Sequence, residues 1–192
     1  MARLTALGEF IALDFETTGL VPGEDGIIDI GAIHIRDGEE VSRFDTLVNP
    51  GRLISQEISQ LTGITNQQLT NAPSIREVKD DFRSFLGDLP VMAHNAKFEL
   101  AFLQQVFGTG YAPVMLDTYQ VLTLMYPLAP SHSLEYFIRS FGLRSYELHR
   151  GLQDALDMVE ILRMADMNLD DPDFAPLCAI VEDHLARAIT TG

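Results

Sequence analysis

Phe10-Ile11-Ala12-Leu13 is an unbroken apolar run that ends in Asp14-Phe15-Glu16 and leads directly into Thr17-Thr18-Gly19. The run reads as a buried strand, and in a strand side chains alternate between faces. Asp14 and Glu16 therefore point one way while Phe15 points back into the protein. Two carboxylates confined to one small region repel each other unless a hard cation lies between them. Mg²⁺ or Mn²⁺ takes such oxygen ligands and keeps positions for water and a substrate phosphate. Asp-x-Glu alone also fits a strand end with two solvated acids. The buried approach and the glycine turn that follows favour a site.

Two distant segments add to this inventory. In AKFELAFLQQVF, Glu99, Phe102, Leu103 and Val106 recur at i, i+3, i+4 and i+7, so the acid shares a helix face with core residues. A solvated helix acid belongs on the opposite face. In HRGLQDA, a helix from Leu152 to Met167 presents Leu152, Ala155, Leu156, Val159, Ile161 and Leu162 as a broad apolar surface. Asp154 lies in its first turn and Asp157 one turn on. His149 precedes it beside Gly151, on a stretch free to move over a site. Histidine side chains titrate near neutrality, so they accept a proton from a metal-bound water more readily than a carboxylate already holding a cation. A lone His next to Arg150 is equally a surface residue, and it is Asp154 five positions later that favours the base. Four carboxylates and one imidazole are what a two-metal phosphodiesterase needs.

Read together, LDFETTGL, AHNAKFEL and HRGLQDA resemble the three exonuclease motifs of the DnaQ-like family with the DEDDh pattern. That family includes the proofreading subunit of bacterial DNA polymerase III, RNase T and oligoribonuclease. ISQLTGITNQQL is similar to a segment common in the polymerase III type. The resemblance spans about Phe10 to Ala165, and it departs from the pattern at one place, where the family's second-motif Asp is Glu99. Glutamate keeps the charge and ligand atoms but adds a carbon–carbon bond, about 1.5 Å of reach. The resemblance implies an α/β, RNase H-like mixed five-stranded sheet with helices on both faces. It also implies two divalent metal ions, Mg²⁺ or Mn²⁺, on Asp14, Glu16, Glu99 and Asp154, with His149 as base and Asp154 rather than Asp157 as ligand. Thr17, Thr18 and Leu20 fall where family members contact the 3′-terminal nucleotide, and His94 and Asn95 lie beside the second motif. Turn formation for the threonines and strand capping for Asn95 explain these residues equally well. Phe98 and Phe102, at helical spacing, read as core rather than as base-stacking platforms.

Length and composition set the frame. The chain has 192 residues, 46% of them hydrophobic, enough for one well-buried domain and few for two. Residues 1–170 read as the exonuclease domain and 171–192 as a C-terminal segment packed on it, with a helix at Phe174 to Ile189 after Pro172. The single cysteine, Cys178, excludes an internal disulfide and a multi-Cys zinc site. No 18-residue apolar run and no secretory leader is evident, so a cytoplasmic location without membrane contact is expected. Strands are expected at Glu9 to Phe15, Gly26 to Ile35, Glu40 to Val48, Val91 to Ala93 and Val114 to Leu116, with a turn at Asp37-Gly38. Ser74 and Glu77 form a capping box opening a helix at Ile75 to Leu86. Further helices are expected around Glu99 and at Thr118 to Met125 and Ser133 to Phe141.

The net charge of −15, with two lysines and eleven arginines, argues against extended duplex binding. It suits an enzyme that grips a few nucleotides of a single-stranded 3′ end and relies on a polymerase, helicase or other processivity partner. The expected activity is metal-dependent 3′-to-5′ hydrolysis of terminal phosphodiesters of DNA or RNA to nucleoside 5′-monophosphates. Two alternatives stand beside it. One is a nucleic-acid-binding module of the same fold, with activity reduced or lost through Glu99. The other is a hydrolase of small phosphodiesters.

Overall fold

The computed structural model describes residues 8–168. Its centre is β1 (Glu9–Thr17), paired antiparallel with β2 (Ile27–Arg36), which pairs antiparallel with β3 (Glu39–Leu47). On its other side β1 runs parallel to β4 (Val91–Ala93), and β4 parallel to β5 (Met115–Asp117). The five-stranded order is β3-β2-β1-β4-β5. Three helices, α1 (Gln56–Thr62), α2 (Asn66–Thr70) and α3 (Ile75–Leu86), separate β3 from β4. α4 (Lys97–Phe107) joins the two parallel strands, and α5 (Thr118–Met125), α6 (Leu134–Ser140) and α7 (Gly151–Asn168) follow.

The alternation of β1 divides the core. Phe10 and Ala12 pack with α5, α6 and α7 on one face of the sheet. Ile11, Leu13 and Phe15 pack with α3 and α4 on the other, around a fully buried Phe82 whose ring meets those of Phe15, Phe44 and Phe107 at centroid distances of 6.0, 5.2 and 5.8 Å. This is the mixed sheet covered by helices on both faces that the motif order implied. Phe102 lies in the second core with no exposure and Phe98 stacks on it at 4.9 Å, so both serve packing. No helix among the described residues is long and apolar enough to cross a membrane. The helix expected at Phe174 to Ile189 and the segment 171–192 lie outside the described residues.

Two short helices between β3 and β4 escape the periodicity reading because seven and five residues are too few to show it. Their ends were nonetheless written in the chain. The Ser55 hydroxyl caps α1, Gly63 closes it at φ 69°, and Thr65 with Gln68 forms a capping box on α2. The expected box at Ser74 and Glu77 is present, the Ser74 N–H donating to Glu77 Oε2 at 2.7 Å. Asp37 and Gly38 make the β2–β3 turn with φ of 53° and 82°.

The closest approach in the fold is between β2 and the start of α7. A Cβ placed on Gly31 would lie 1.8 Å from the Gly151–Leu152 peptide, and one on Gly151 would lie 2.7 Å from Gly31 N and 2.8 Å from Asp14 O. Backbone thus rests on backbone where the helix begins. Gly31→Ala should force the N-terminus of α7 off the sheet, lowering stability by about 1–3 kcal/mol or more. A thermal melt of the variant coinciding with that of the unmodified protein would contradict this close contact.

Candidate active site

The carboxylates come from three elements that end at the same rim of the sheet. Asp14 and Glu16 sit at the C-terminal end of β1, Glu99 in the first turn of α4 just beyond β4, and Asp154 in the first turn of α7. Ligand sites in open α/β sheets gather at such strand ends. The β1–β2 ladder also shifts register between Glu16 and Thr17, where Glu16 faces Asp29 but Thr17 faces Ile27. A bulge of this kind re-aims side chains at a site.

Glu16, His149 and Asp154 each offer a ligand atom, all within 4.8 Å of one another. Asp14 and Glu99 stand outside that tight group but are electrostatic neighbours of each other and of Glu16. Asp154 is 1% exposed: its Oδ2 accepts the Arg150 N–H at 2.9 Å, while its buried Oδ1 has no hydrogen-bond partner. Glu99 is 3% exposed and its Oε2 is likewise buried without a partner. A buried acceptor left without a donor costs free energy unless a cation or proton takes it up. These orphaned oxygens, with four acids converging, fit hard divalent cations.

Competing ligands and contacts are resolved by their partners. Asp157, 4% exposed, is ion-paired with Arg144 and accepts from Gln153 at 3.1 Å, so its charge is already matched. Glu147 approaches His149 Nδ1 at 3.7 Å and adds to the negative field on Asp14, Glu16 and Asp154.

The charge state follows from burial. Desolvation first, then repulsion from Glu99, Asp154, Glu16 and Glu147, raises Asp14 well above the ordinary carboxylate range. Burial, then Asp154, Asp29 and Glu147, pushes Glu16 to about 8 against the pull of Arg150. Burial also takes Glu99 to about 8, with Asp117 and Glu16 adding to it and the backbone N–H of its own helix opposing. Asp154 rises to about 7 by burial and Glu147, opposed by the Arg150 N–H, His149 and Arg144. In the unfolded chain such groups ionise near pH 4. Between about pH 4.5 and 8 the cation-free folded protein therefore holds protons that the unfolded chain has released, and its stability falls as pH rises through that window. The melting temperature in chelator should drop from about pH 5 to pH 8. Mg²⁺ or Mn²⁺ should restore it most at pH 8, where the carboxylates are ionised for ligation. A flat profile in chelator, or equal cation effects at both ends, would count against a shared desolvated cluster.

The loop after β1 is built by its own polar groups. The buried Thr17 hydroxyl donates to Gly19 O at 2.5 Å. The Thr18 hydroxyl donates to Asp25 Oδ1 at 2.9 Å and accepts the Gly26 N–H and an Arg52 guanidinium N–H. Asp25 also takes the Val21 N–H at 3.0 Å, and Gln105 from α4 bonds Gly23 N and Asp25 O, each at 3.0 Å. Turn formation thus accounts for the side chains of both threonines, and the loop so braced projects Leu20, 80% exposed, into solvent. Near the second motif, the Thr118 hydroxyl donates to Ala93 O, so it accepts from His94 Nδ1–H at 3.0 Å. Asn95, at φ 65°, gives its N–H to Asp117 Oδ1 at 3.1 Å, which also caps α5.

Sequence reading missed Asp25 and Asp29. Asp29 is fully buried on β2 opposite Glu16 and accepts from Arg150 Nε at 2.9 Å. An acid inside the apolar run IIDIGAI was the available signal, since an acid there needs a partner.

Residues 11–162 match the RNase T exonuclease family. Over 163 residues the chain is 40% identical to the PolC-type DNA polymerase III of Thermotoga maritima, covering 82% of this chain and 12% of that protein. The chain therefore spans about an eighth of the length of that curated relative. Among solved structures, Exonuclease X in complex with 5′ overhanging duplex DNA superposes with a TM-score of 0.61 at 25% identity, covering 81% of this chain and 91% of the other. The nuclease domain of 3′hExo, a DEDDh family member bound to rAMP, gives 0.69 at 19% identity over 85% and 92%. With the motifs, the sheet order and these matches in agreement, the chain belongs to the DnaQ-like exonuclease family.

Proposed function

We propose that this chain hydrolyses terminal phosphodiesters of single-stranded DNA or RNA from the 3′ end, releasing nucleoside 5′-monophosphates. The observation that carries the reading is the convergence of Glu16, Asp154 and His149 within 4.8 Å, beside orphaned oxygens on Asp154 and Glu99. Two divalent ions, Mg²⁺ or Mn²⁺, on Asp14, Glu16, Glu99 and Asp154 would offset the acids, lower the pKa of water and neutralise charge developing on the phosphate. His149 accepts the proton of the attacking water. It lies within 4.8 Å of Glu16 and Asp154, which places it beside the cations they would hold. Leu20 and the loop braced by Asp25, with His94 and Asn95 after β4, would contact the terminal nucleoside. That a DNA-bound exonuclease and a nucleotide-bound DEDDh nuclease share the fold supports nucleic acid as substrate.

The acidic chain grips few phosphates, so a polymerase or other partner supplies processivity, in line with its similarity to a small part of PolC-type polymerases. The work is done in the cytoplasm. A gel assay of 5′-labelled single-stranded DNA and RNA, with Mg²⁺, Mn²⁺ or chelator, tests the reading. A cation-dependent ladder descending from the 3′ end is the expected result. An unchanged band at high enzyme, with retained binding of the oligonucleotide, would favour the binding module instead.

A further inference from the structure

His149 has a left-handed backbone, φ 50°, although it is not glycine. A non-glycine residue in that region costs about 1 kcal/mol or more, so its surroundings must hold it there. Two carboxylates do so through the two peptide groups that follow it. The Arg150 N–H is taken by Asp154 Oδ2 at 2.9 Å, and the Gly151 N–H reaches Asp29 Oδ2 at 3.4 Å. The same Asp29 oxygen receives Arg150 Nε at 2.9 Å. Asp29 has no solvent exposure, whereas the Arg150 side chain is 41% exposed. Asp29 is thus a buried carboxylate whose hydrogen-bond partners among the described residues all belong to the loop that follows His149. Asp29 is also the cross-strand partner of Glu16. It therefore fixes the loop carrying the imidazole to the strand carrying a carboxylate that the imidazole faces.

We propose that Asp29, acting through Arg150 and the Gly151 N–H, is a positioning residue that sets His149 for proton transfer. This rests on the nuclease reading above and on His149 as its base. Asp154 divides its carboxylate between the Arg150 N–H, on Oδ2, and any cation it would hold on Oδ1. Asp29 adds a second anchor to the same loop from β2.

The test is the kinetics of Asp29→Ala and Asp29→Asn on a 5′-labelled oligonucleotide. Removing Asp29 leaves no buried unpaired charge, because the half-exposed Arg150 can turn to solvent, and a thermal melt establishes that each variant is folded. For Asp29→Ala, kcat should fall about 10- to 100-fold, the scale of a misplaced reacting group, while KM stays within about threefold. Asp29→Asn keeps a hydrogen-bond acceptor and should fall between. In the His149→Ala background, Asp29→Ala should cost nothing further, since it acts only through the missing ring. By NMR of the cation-free protein, the His149 ring signals should broaden or average in Asp29→Ala. Additive losses in the double variant, a change carried by KM, or unaltered His149 signals would overturn the proposal. A wild-type protein that hydrolyses no oligonucleotide would sink the nuclease reading itself. An active wild type with Asp29→Ala at full rate would sink only the role of Asp29.

Discussion

Asp14→Ala should abolish cation-dependent hydrolysis, with a loss of about 10³-fold or more, since the cation charge it would help hold is worth several kcal/mol at the transition state. Asp14 is raised by burial and then by Glu99, Asp154, Glu16 and Glu147, so it feels every other acid of the site. Removing it relieves repulsion among the others, and the cation-free variant should consequently be no less stable at pH 8 than the parent. Loss of activity with retained or increased thermal stability is therefore the expected pair of results. Near-normal hydrolysis by Asp14→Ala in Mg²⁺ or Mn²⁺ would remove the basis of the assignment.

His149→Ala should lower kcat by about 10²- to 10⁴-fold, the usual contribution of a positioned base, and leave cation binding close to unchanged. His149 differs from the four acids in that respect. It lies within 4.8 Å of Glu16 and Asp154, yet its proposed role is to take a proton rather than to ligate. Calorimetric titration with Mn²⁺ separates the two. If His149→Ala weakens Mn²⁺ binding as strongly as Asp154→Ala, then the imidazole is a ligand and the base must be sought elsewhere.

Much of this architecture was legible because it depends on short-range rules. The run Phe10 to Leu13, the Asp37-Gly38 turn and the Ser74–Glu77 box each encode their conformation within a few residues, and β1, the β2–β3 turn and α3 formed where expected. The face of α4 that carries Glu99 was legible too, because helical spacing alone places it with Phe102 and Leu103. What stayed hidden depended on register between distant segments. Asp29 and Arg150 are 121 positions apart, and only the β2–α7 contact makes them partners. The left-handed backbone of His149 had only a weak local cue, since His is enriched at positive φ yet adopts it in a small minority of cases. The family spacing already selected Asp154 over Asp157, but that Arg144, thirteen positions earlier, pairs with Asp157 depended on the fold.

The glycine contact between β2 and α7 is fixed in a way that the loop after β1 is not. With Gly31 and Gly151 in backbone contact, and Asp14 O against the latter, no side chain can enter that seam to widen or reshape it. The loop at 18–26 is instead held by side chains, those of Asp25, Arg52 and Gln105 from α4. Those ties can be exchanged without moving a strand. If that loop contacts substrate as proposed, attempts to redirect specificity belong at Leu20, Asp25 and Gln105, while the Gly31–Gly151 contact tolerates no redesign.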